Sequence, residues 1–296
     1  SPDGAFPTVD FPNPEEPGAL DLAKARAQEA DAHLILANDP DADRLAVAVP
    51  DTGAEGGWRM LTGNEVGALL GDFVLAHAEA SPPPLAIASV VSSELLGRIA
   101  EHRGARFRQC LTGFKWVMAE ARALEAAGPE RFAYGFEEAL GYCVGREVAD
   151  KDGISAALAM LSLAAALDAE GRTLEDALQD LDERHGAWVT GQIVRRFQGP
   201  TAPSRIREVM ARIREAPPQA LGDLALSSVE DYADRVPSTN LLCLRYGAGL
   251  RVLIRPSGTE PKVKIYLEWR DPRGRAEGRQ RLSELQAAWD RVDPAT

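Results

Sequence analysis

Between residues 62 and 167, short apolar runs alternate with helix-length amphipathic segments, and this alternation limits most strongly the folds open to the chain. Thr62 caps a predicted helix whose Val66, Leu69, Leu70, Phe73 and Val74 share one face. Pro82, Pro83 and Pro84 lead into an apolar strand over 85–91, and Ser92 or Ser93 caps a second helix that Gly104 closes. A strand near 105–110, a helix from Phe114, a strand near 131–136 and a long helix over 153–167 complete the repeat. Successive strands joined through helices must run parallel, so a largely parallel sheet covered by helices is expected.

The flanking regions read differently. Residues 1–18 carry five prolines and form an extended lead-in. A helix over 19–29 follows, then two apolar strands at 33–37 and 45–49, and the turn-rich stretch 50–57 is the first candidate boundary. From Trp188 onward strands neighbour each other, at 241–246, 250–254 and 263–269. Helices over 204–215 and 276–292 would cover them, the latter through Leu282, Leu285 and Trp289. The fold class is therefore α/β in three segments: 1–57 as the end of one α/β domain, 58–187 as a complete α/β domain with a mixed, mostly parallel sheet, and 188–296 as an α+β domain with an antiparallel sheet. A length of 296 residues suits this partition, given roughly 150 residues per domain.

Composition excludes several function classes. The formal net charge of −12 repels nucleic acid, and the arginines between 195 and 214 alternate with apolar residues, as on a solvated helix face. The longest apolar stretch, 154–167, is too short to span a membrane. Three scattered cysteines, Cys110, Cys143 and Cys243, fit a reducing compartment, with cytoplasm the expectation. The N-terminus shows no secretory pattern, and Ser1 in place of methionine reads as a boundary or processing point. His33, His77, His102 and His185 lack metal-ligand spacing.

Chemistry concentrates in four loops. Asp39, Asp41 and Asp43 alternate in the tight turn between two apolar strands, followed by Arg44. Three carboxylates so close repel unless they converge on a hard cation, and Mg2+ is the natural reading. A calcium EF-hand loop starting at Asp39 would need glycine and glutamate where Arg44 and Pro50 stand. A solvated acidic turn, or a phosphatase using Asp39 as nucleophile, are the alternatives. Lys115 sits in Thr112-Gly113-Phe114-Lys115-Trp116 at the start of a helix, an end that favours anions, so an anionic partner or a plain surface lysine are both open. Glu137 and Glu138, framed by Gly135 and Gly141, suit paired hydrogen bonds to sugar hydroxyls or form an acidic turn. Arg255, Ser257, Gly258, Thr259 and Lys262 make a compact turn suited to a phosphate dianion, against the alternative of a structural hairpin.

These four stretches, in this order, resemble the loops of the α-D-phosphohexomutases, the phosphoglucomutase and phosphomannomutase family. The spelling around Glu137 and Asp150-Lys151-Asp152-Gly153 is closest to the phosphoglucomutase-2 and phosphopentomutase branch. The resemblance implies Mg2+ on Asp39, Asp41 and Asp43, catalytic roles for Lys115 and Arg44, sugar binding by Glu137 and Glu138, and phosphate binding by Arg255, Ser257, Gly258, Thr259 and Lys262. It further implies sugar phosphates as substrates, a sugar 1,6-bisphosphate as activator, and partnership with N-terminal domains of the same protein that carry the phosphoserine. No Thr-x-Ser-His-Asn-Pro stretch occurs here, so the chain alone is expected to lack mutase activity. Pro40 stands where many members have glycine and Ala139 where some have serine, which leaves the sugar open among glucose, mannose and pentose phosphates. A non-catalytic sugar-phosphate-binding module is the remaining alternative.

Overall fold

The helix–strand alternation places the ends of three strands, and the loops after them, along one edge of a sheet. The computed structural model describes residues 3–9, 11–258 and 260–293, and the chain divides into two units, 1–180 and 181–296.

In the first unit, helix α1 (Asp21–Glu29) precedes an antiparallel hairpin of β1 (Ile35–Asn38) and β2 (Leu45–Pro50), and β3 (Trp58–Met60) pairs with the other side of β2. The turn-rich stretch 50–57 connects β2 to β3 within this sheet. Leu45 through Ala48 are almost wholly buried, which is why β2 reads as an unbroken apolar run.

Helix α2 (Gly63–His77) begins with a capping box: Thr62 Oγ1 accepts the Glu65 N–H, and Glu65 Oε2 accepts the Thr62 N–H at 2.8 Å. Such a cap stabilises a helix by about 1 kcal/mol. A four-stranded sheet follows in the order β5-β4-β6-β7, built from β4 (Pro84–Ser89), β5 (Arg106–Cys110), β6 (Arg131–Glu137) and β7 (Gly141–Val144). β4 runs parallel to β5 and β6, while β6 and β7 form an antiparallel hairpin, giving the mixed, mostly parallel sheet expected. Helices α3 (Leu95–His102), α4 (Phe114–Ala127) and α5 (Gly153–Ala169) follow β4, β5 and β7. The carboxyl ends Ser89, Cys110 and Glu137 lie along one edge of the sheet, where ligands of open α/β sheets commonly bind.

Tyr134, Phe136 and Tyr142 stack through the centre of this unit with centroids 6.2 and 6.4 Å apart. The buried hydroxyls of the two tyrosines donate to the carbonyls of Gly67 (3.0 Å, from Tyr134) and Gly63 (3.3 Å, from Tyr142). Gly67 is required for this approach, since a Cβ there would lie 2.4 Å from the Phe136 ring. Each buried aromatic contributes about 1.5–3 kcal/mol, so the start of α2 is fixed against the turn between β6 and β7.

The two candidate caps of α3 divide their work. Ser93 Oγ accepts the Leu95 N–H at the start of α3, but Ser92 faces inward, with its hydroxyl spent on Ser89 and Glu138. Among the described residues no single helix is long and apolar enough to cross a membrane.

Helix α6 (Leu174–His185) runs across the division between the units. The second unit is an antiparallel sheet in the order β8-β13-β12-β11-β10-β9. Its strands are β8 (Ala187–Arg196), β9 (Ala220–Leu221), β10 (Leu224–Asp231), β11 (Leu242–Tyr246), β12 (Leu250–Pro256) and β13 (Lys262–Asp271). Helices α7 (Ala202–Glu215) and α8 (Arg275–Val292) supply Met210, Ile213, Leu285 and Trp289 to a core shared with Leu244, Val252, Ile254 and Ile265. The antiparallel α+β character matches the sequence reading. β8, β9 and β10, which that reading did not delimit, extend the sheet on both sides.

Candidate functional site

The acidic loop is the turn of the β1–β2 hairpin, and its shape is set by bonds that reach far along the chain. Ala42 N–H closes the turn on the Asp39 carbonyl at 3.0 Å, with Ala42 itself in the left-handed region at φ 58°. Asn38 Nδ2 donates to the Arg44 carbonyl at 2.7 Å. Gly153 N–H donates to the Ala42 carbonyl and Leu45 N–H to the Leu140 carbonyl, both at 3.0 Å. The start of α5 and the β6–β7 turn therefore grip the loop from two sides. Strained non-glycine backbone at Ala42 and at Leu140 (φ 62°) persists because these contacts over-determine it.

Within that frame, one carboxylate oxygen each from Asp39, Asp41 and Asp43 lies within 4.8 Å of the others. Three hard oxygen donors so gathered fit Mg2+ in kind. Asp39 is only 6% exposed; its Oδ1 accepts the Arg44 N–H at 3.1 Å and its Oδ2 the Arg44 Nε–H at 2.6 Å. Burial pushes this carboxyl up, but the Arg44 amide and guanidinium outweigh it and hold Asp39 below the usual carboxylate range. Arg44, given a catalytic role from the sequence, is thus engaged as the clamp on Asp39, with Asp43 3.7 Å away.

Lys151, absent from the sequence-based residue set, reaches Asp43 Oδ2 at 2.8 Å from the loop before α5. Its stem lies across Gly141, where a Cβ would meet Lys151 Cδ at 2.5 Å. Burial works against its ammonium, and the Asp43 bond and charge outweigh burial and raise its pKa. The Asp150-Lys151-Asp152-Gly153 stretch was the available signal. Only folding shows that its lysine belongs to the acidic loop.

Glu137 ends β6, Glu138 opens the turn after it, and the two go to different partners. Glu137 Oε1 accepts the Gly113 N–H at 2.6 Å, which ties the β6 end to the loop carrying Lys115. Glu138 Oε2 accepts from Ser89 and Ser92, each at 3.3 Å, and the Glu138 N–H donates to Ser92 Oγ at 3.0 Å. Both glutamates are therefore held by the protein. Lys115 projects from the first turn of α4, exposed, its Nζ 5.6 Å from the Trp116 ring centroid. Gly113, the helix cap at φ 113°, supplies the backbone that both Glu137 and α4 require.

In the second unit, Arg255 lies at the end of β12 and Lys262 at the start of β13, opposite Arg196 in the register. The hairpin closes with Ser257 N–H on the Lys262 carbonyl and Lys262 N–H on the Glu260 carbonyl, both 2.8 Å. Lys262 Nζ pairs with the Glu260 carboxylate, which Arg196 Nη1 also approaches at 3.4 Å. Gly258 is exposed, and a Cβ there would meet nothing within 4 Å. Thr259 lies outside the described residues.

The turn of the β1–β2 hairpin, with its three aspartates, is thus bonded to the β6–β7 turn and to the loop before α5 at the edge of the neighbouring four-stranded α/β sheet. The chain belongs to the phosphoglucomutase/phosphomannomutase, or α-D-phosphohexomutase, family. Profiles of that family match in three parts: alpha/beta/alpha domain II at residues 1–53, alpha/beta/alpha domain III at 62–184, and the C-terminal domain at 229–285. A "Probable phosphomannomutase" of Haemophilus influenzae is 43% identical over 275 residues, covering 92% of this chain and 54% of that protein. The phosphopentomutase of Homo sapiens is 35% identical over 308 residues, covering 96% of this chain and 50% of that protein. A phosphoglucomutase/phosphomannomutase family protein from Burkholderia thailandensis shares the fold, with a TM-score of 0.65 at 20% identity over 99% of this chain and 54% of that one. The chain thus spans about half the length of the relatives it matches.

Proposed function

We propose that this chain is the metal- and sugar-phosphate-binding part of a phosphosugar mutase, which moves a phosphoryl group between the 1- and 6-positions of a hexose phosphate through a phosphoserine and a sugar bisphosphate. The observation that carries the reading is the knotting of three loops in the first unit. The Glu137–Gly113 bond joins the glutamate and lysine loops, while Leu140 and Gly153 bond to the acidic loop. A chain that needed only a surface turn has no use for such cross-bracing.

In this reading Asp39, Asp41 and Asp43 hold Mg2+, whose charge when bound offsets that of the transferring phosphoryl oxygens. Lys115 acts there as general acid/base or charge stabiliser. The carboxylates of Glu137 and Glu138 accept from ring hydroxyls, and Arg255, Ser257, Gly258, Thr259 and Lys262 grip the non-reacting phosphate. A phosphoserine-bearing portion of the same protein, outside these 296 residues, supplies the group that is transferred. A sugar 1,6-bisphosphate serves as activator. A phosphatase with Asp39 as nucleophile is disfavoured, because a carboxylate only 6% exposed suits a ligand to a small ion better than attack on a bulky phosphate ester.

The test is a substrate panel of glucose, mannose and pentose phosphates with Mg2+ and glucose 1,6-bisphosphate, run on this chain alone and joined to a phosphoserine domain of the family. Turnover is expected only in the joined form, with a pentose preference marking the phosphopentomutase alternative. Free phosphate released by the chain alone would overturn the mutase reading.

A further inference from the structure

Two of the three aspartates carry a cation of the chain's own. Arg44 holds Asp39 through its backbone N–H and guanidinium, two bonds from one residue inside the same turn. Lys151 holds Asp43 through a single ammonium on a flexible stem that enters from another loop. Beyond Asp43, Lys151 Nζ has Asp150 at 3.6 Å and the Phe114 ring centroid at 5.7 Å, and Phe114 adjoins both Lys115 and the Gly113 that binds Glu137. The lysine therefore stands between the acidic loop and the loop that offers charge to an anionic ligand.

We propose that Lys151 and a divalent cation compete for Asp43, so that metal loading releases the Lys151 ammonium toward the Lys115 loop and couples the metal to the binding of an anionic ligand there. This rests on the three aspartates being a divalent-cation site. A carboxylate that turns to an ion of higher charge gives up its weaker partner, and a unit charge within about 4 Å acts with enough strength to matter even at a surface-like dielectric. Linkage is reciprocal, so an anion that recruits Lys151 also tightens the metal. Arg44 stays in place because it is anchored within the turn by its own backbone, through its N–H to Asp39 and its carbonyl to Asn38, and its guanidinium also donates to Asn13 at 3.4 Å.

Mn2+ serves as the probe, with the free ion counted by electron paramagnetic resonance. Asp41→Asn is expected to abolish Mn2+ binding; undiminished binding would mean that the aspartates are no metal site and would overturn the metal reading together with this proposal. With Asp41→Asn inactive, Lys151→Gln is expected to bind Mn2+ about tenfold more tightly than the unsubstituted chain, and Lys151→Arg to stay close to it. Unchanged or weaker affinity in Lys151→Gln overturns the competition and leaves the metal site standing. A readout on the unsubstituted chain is independent of any folding defect. Acetylation of Lys151 by acetic anhydride, followed by mass spectrometry, should speed severalfold when saturating Mg2+ is added, and a rate indifferent to Mg2+ rejects the release.

Discussion

The Asp39–Arg44 turn and the Arg255–Lys262 hairpin are both tight connections between antiparallel strands, yet they are built in opposite ways. The acidic turn is half-buried and braced by Gly153, Leu140 and Lys151, residues remote in sequence. The cationic hairpin is closed by its own backbone, with Gly258 and Glu260 out in solvent. Each carries the opposite charge internally: Arg44 and Lys151 among the carboxylates, Glu260 among the cations. Three carboxylates within 4.8 Å repel, and the fold must hold them against that repulsion. Arginine and lysine on long stems spread apart at little cost, so the hairpin needs less support.

If that contrast is right, removing the internal counterion should hurt one loop and not the other. Arg44→Met leaves the Asp39 carboxylate buried without its partner, and is expected to cost about 3–5 kcal/mol in urea unfolding. Glu260→Gln removes the exposed carboxylate that Lys262 and Arg196 share and should leave stability nearly unchanged. Equal losses would erase the distinction between the loops.

A glycine pair sharpens the same contrast at smaller scale. A Cβ on Gly153 would lie 2.3 Å from the Arg44 carbonyl oxygen and 2.8 Å from that of Ala42, so Gly153→Ala must push α5 off the acidic turn. Overpacking of this kind costs about 1–3 kcal/mol. Gly258→Ala meets only solvent, and its unfolding midpoint is expected to match that of the unsubstituted chain. A neutral Gly153→Ala would show that the bracing is slack.

The two loops also differ in how far they could be read from sequence. Both were found, because charged residues in a short turn between apolar runs form a local pattern. The α2 cap and the β-α order were legible for the same reason, since Thr62 and the apolar spacing act within a few residues. Lys151 on Asp43 and Gly113 on Glu137 are not local; the first pair is joined only when β7 has folded back on β6. Glu137 and Glu138 read as one paired unit, but neighbours at a strand end point to opposite sides, and Ser92, one of two candidate caps, became the partner of Glu138 while Ser93 met the helix. In the second unit, β10 carries Ser227 and Ser228 in an irregular pairing that breaks the alternation a strand reading depends on.

Acid titration gives the finest separation between the two loops. Asp39 and Glu260 both have carboxyls held below their usual range: at Asp39 burial opposes and Arg44 prevails, and at Glu260 the Lys262 hydrogen bond leads. A carboxyl with a depressed folded-state pKa contributes stability that is complete above its unfolded pKa, near 4, and is lost as the pH falls through the lower folded value. With EDTA present, the stability gap between the unsubstituted chain and Asp39→Asn is therefore expected to be constant well above the unfolded pKa near 4 and to close as the pH falls below it. For Glu260, whose side chain is in water, the gap to Glu260→Gln should stay near zero across the same range, because solvent screens its partners. A gap at Glu260 that opens and closes with pH like that of Asp39 would mean that the hairpin is as tightly built as the acidic turn.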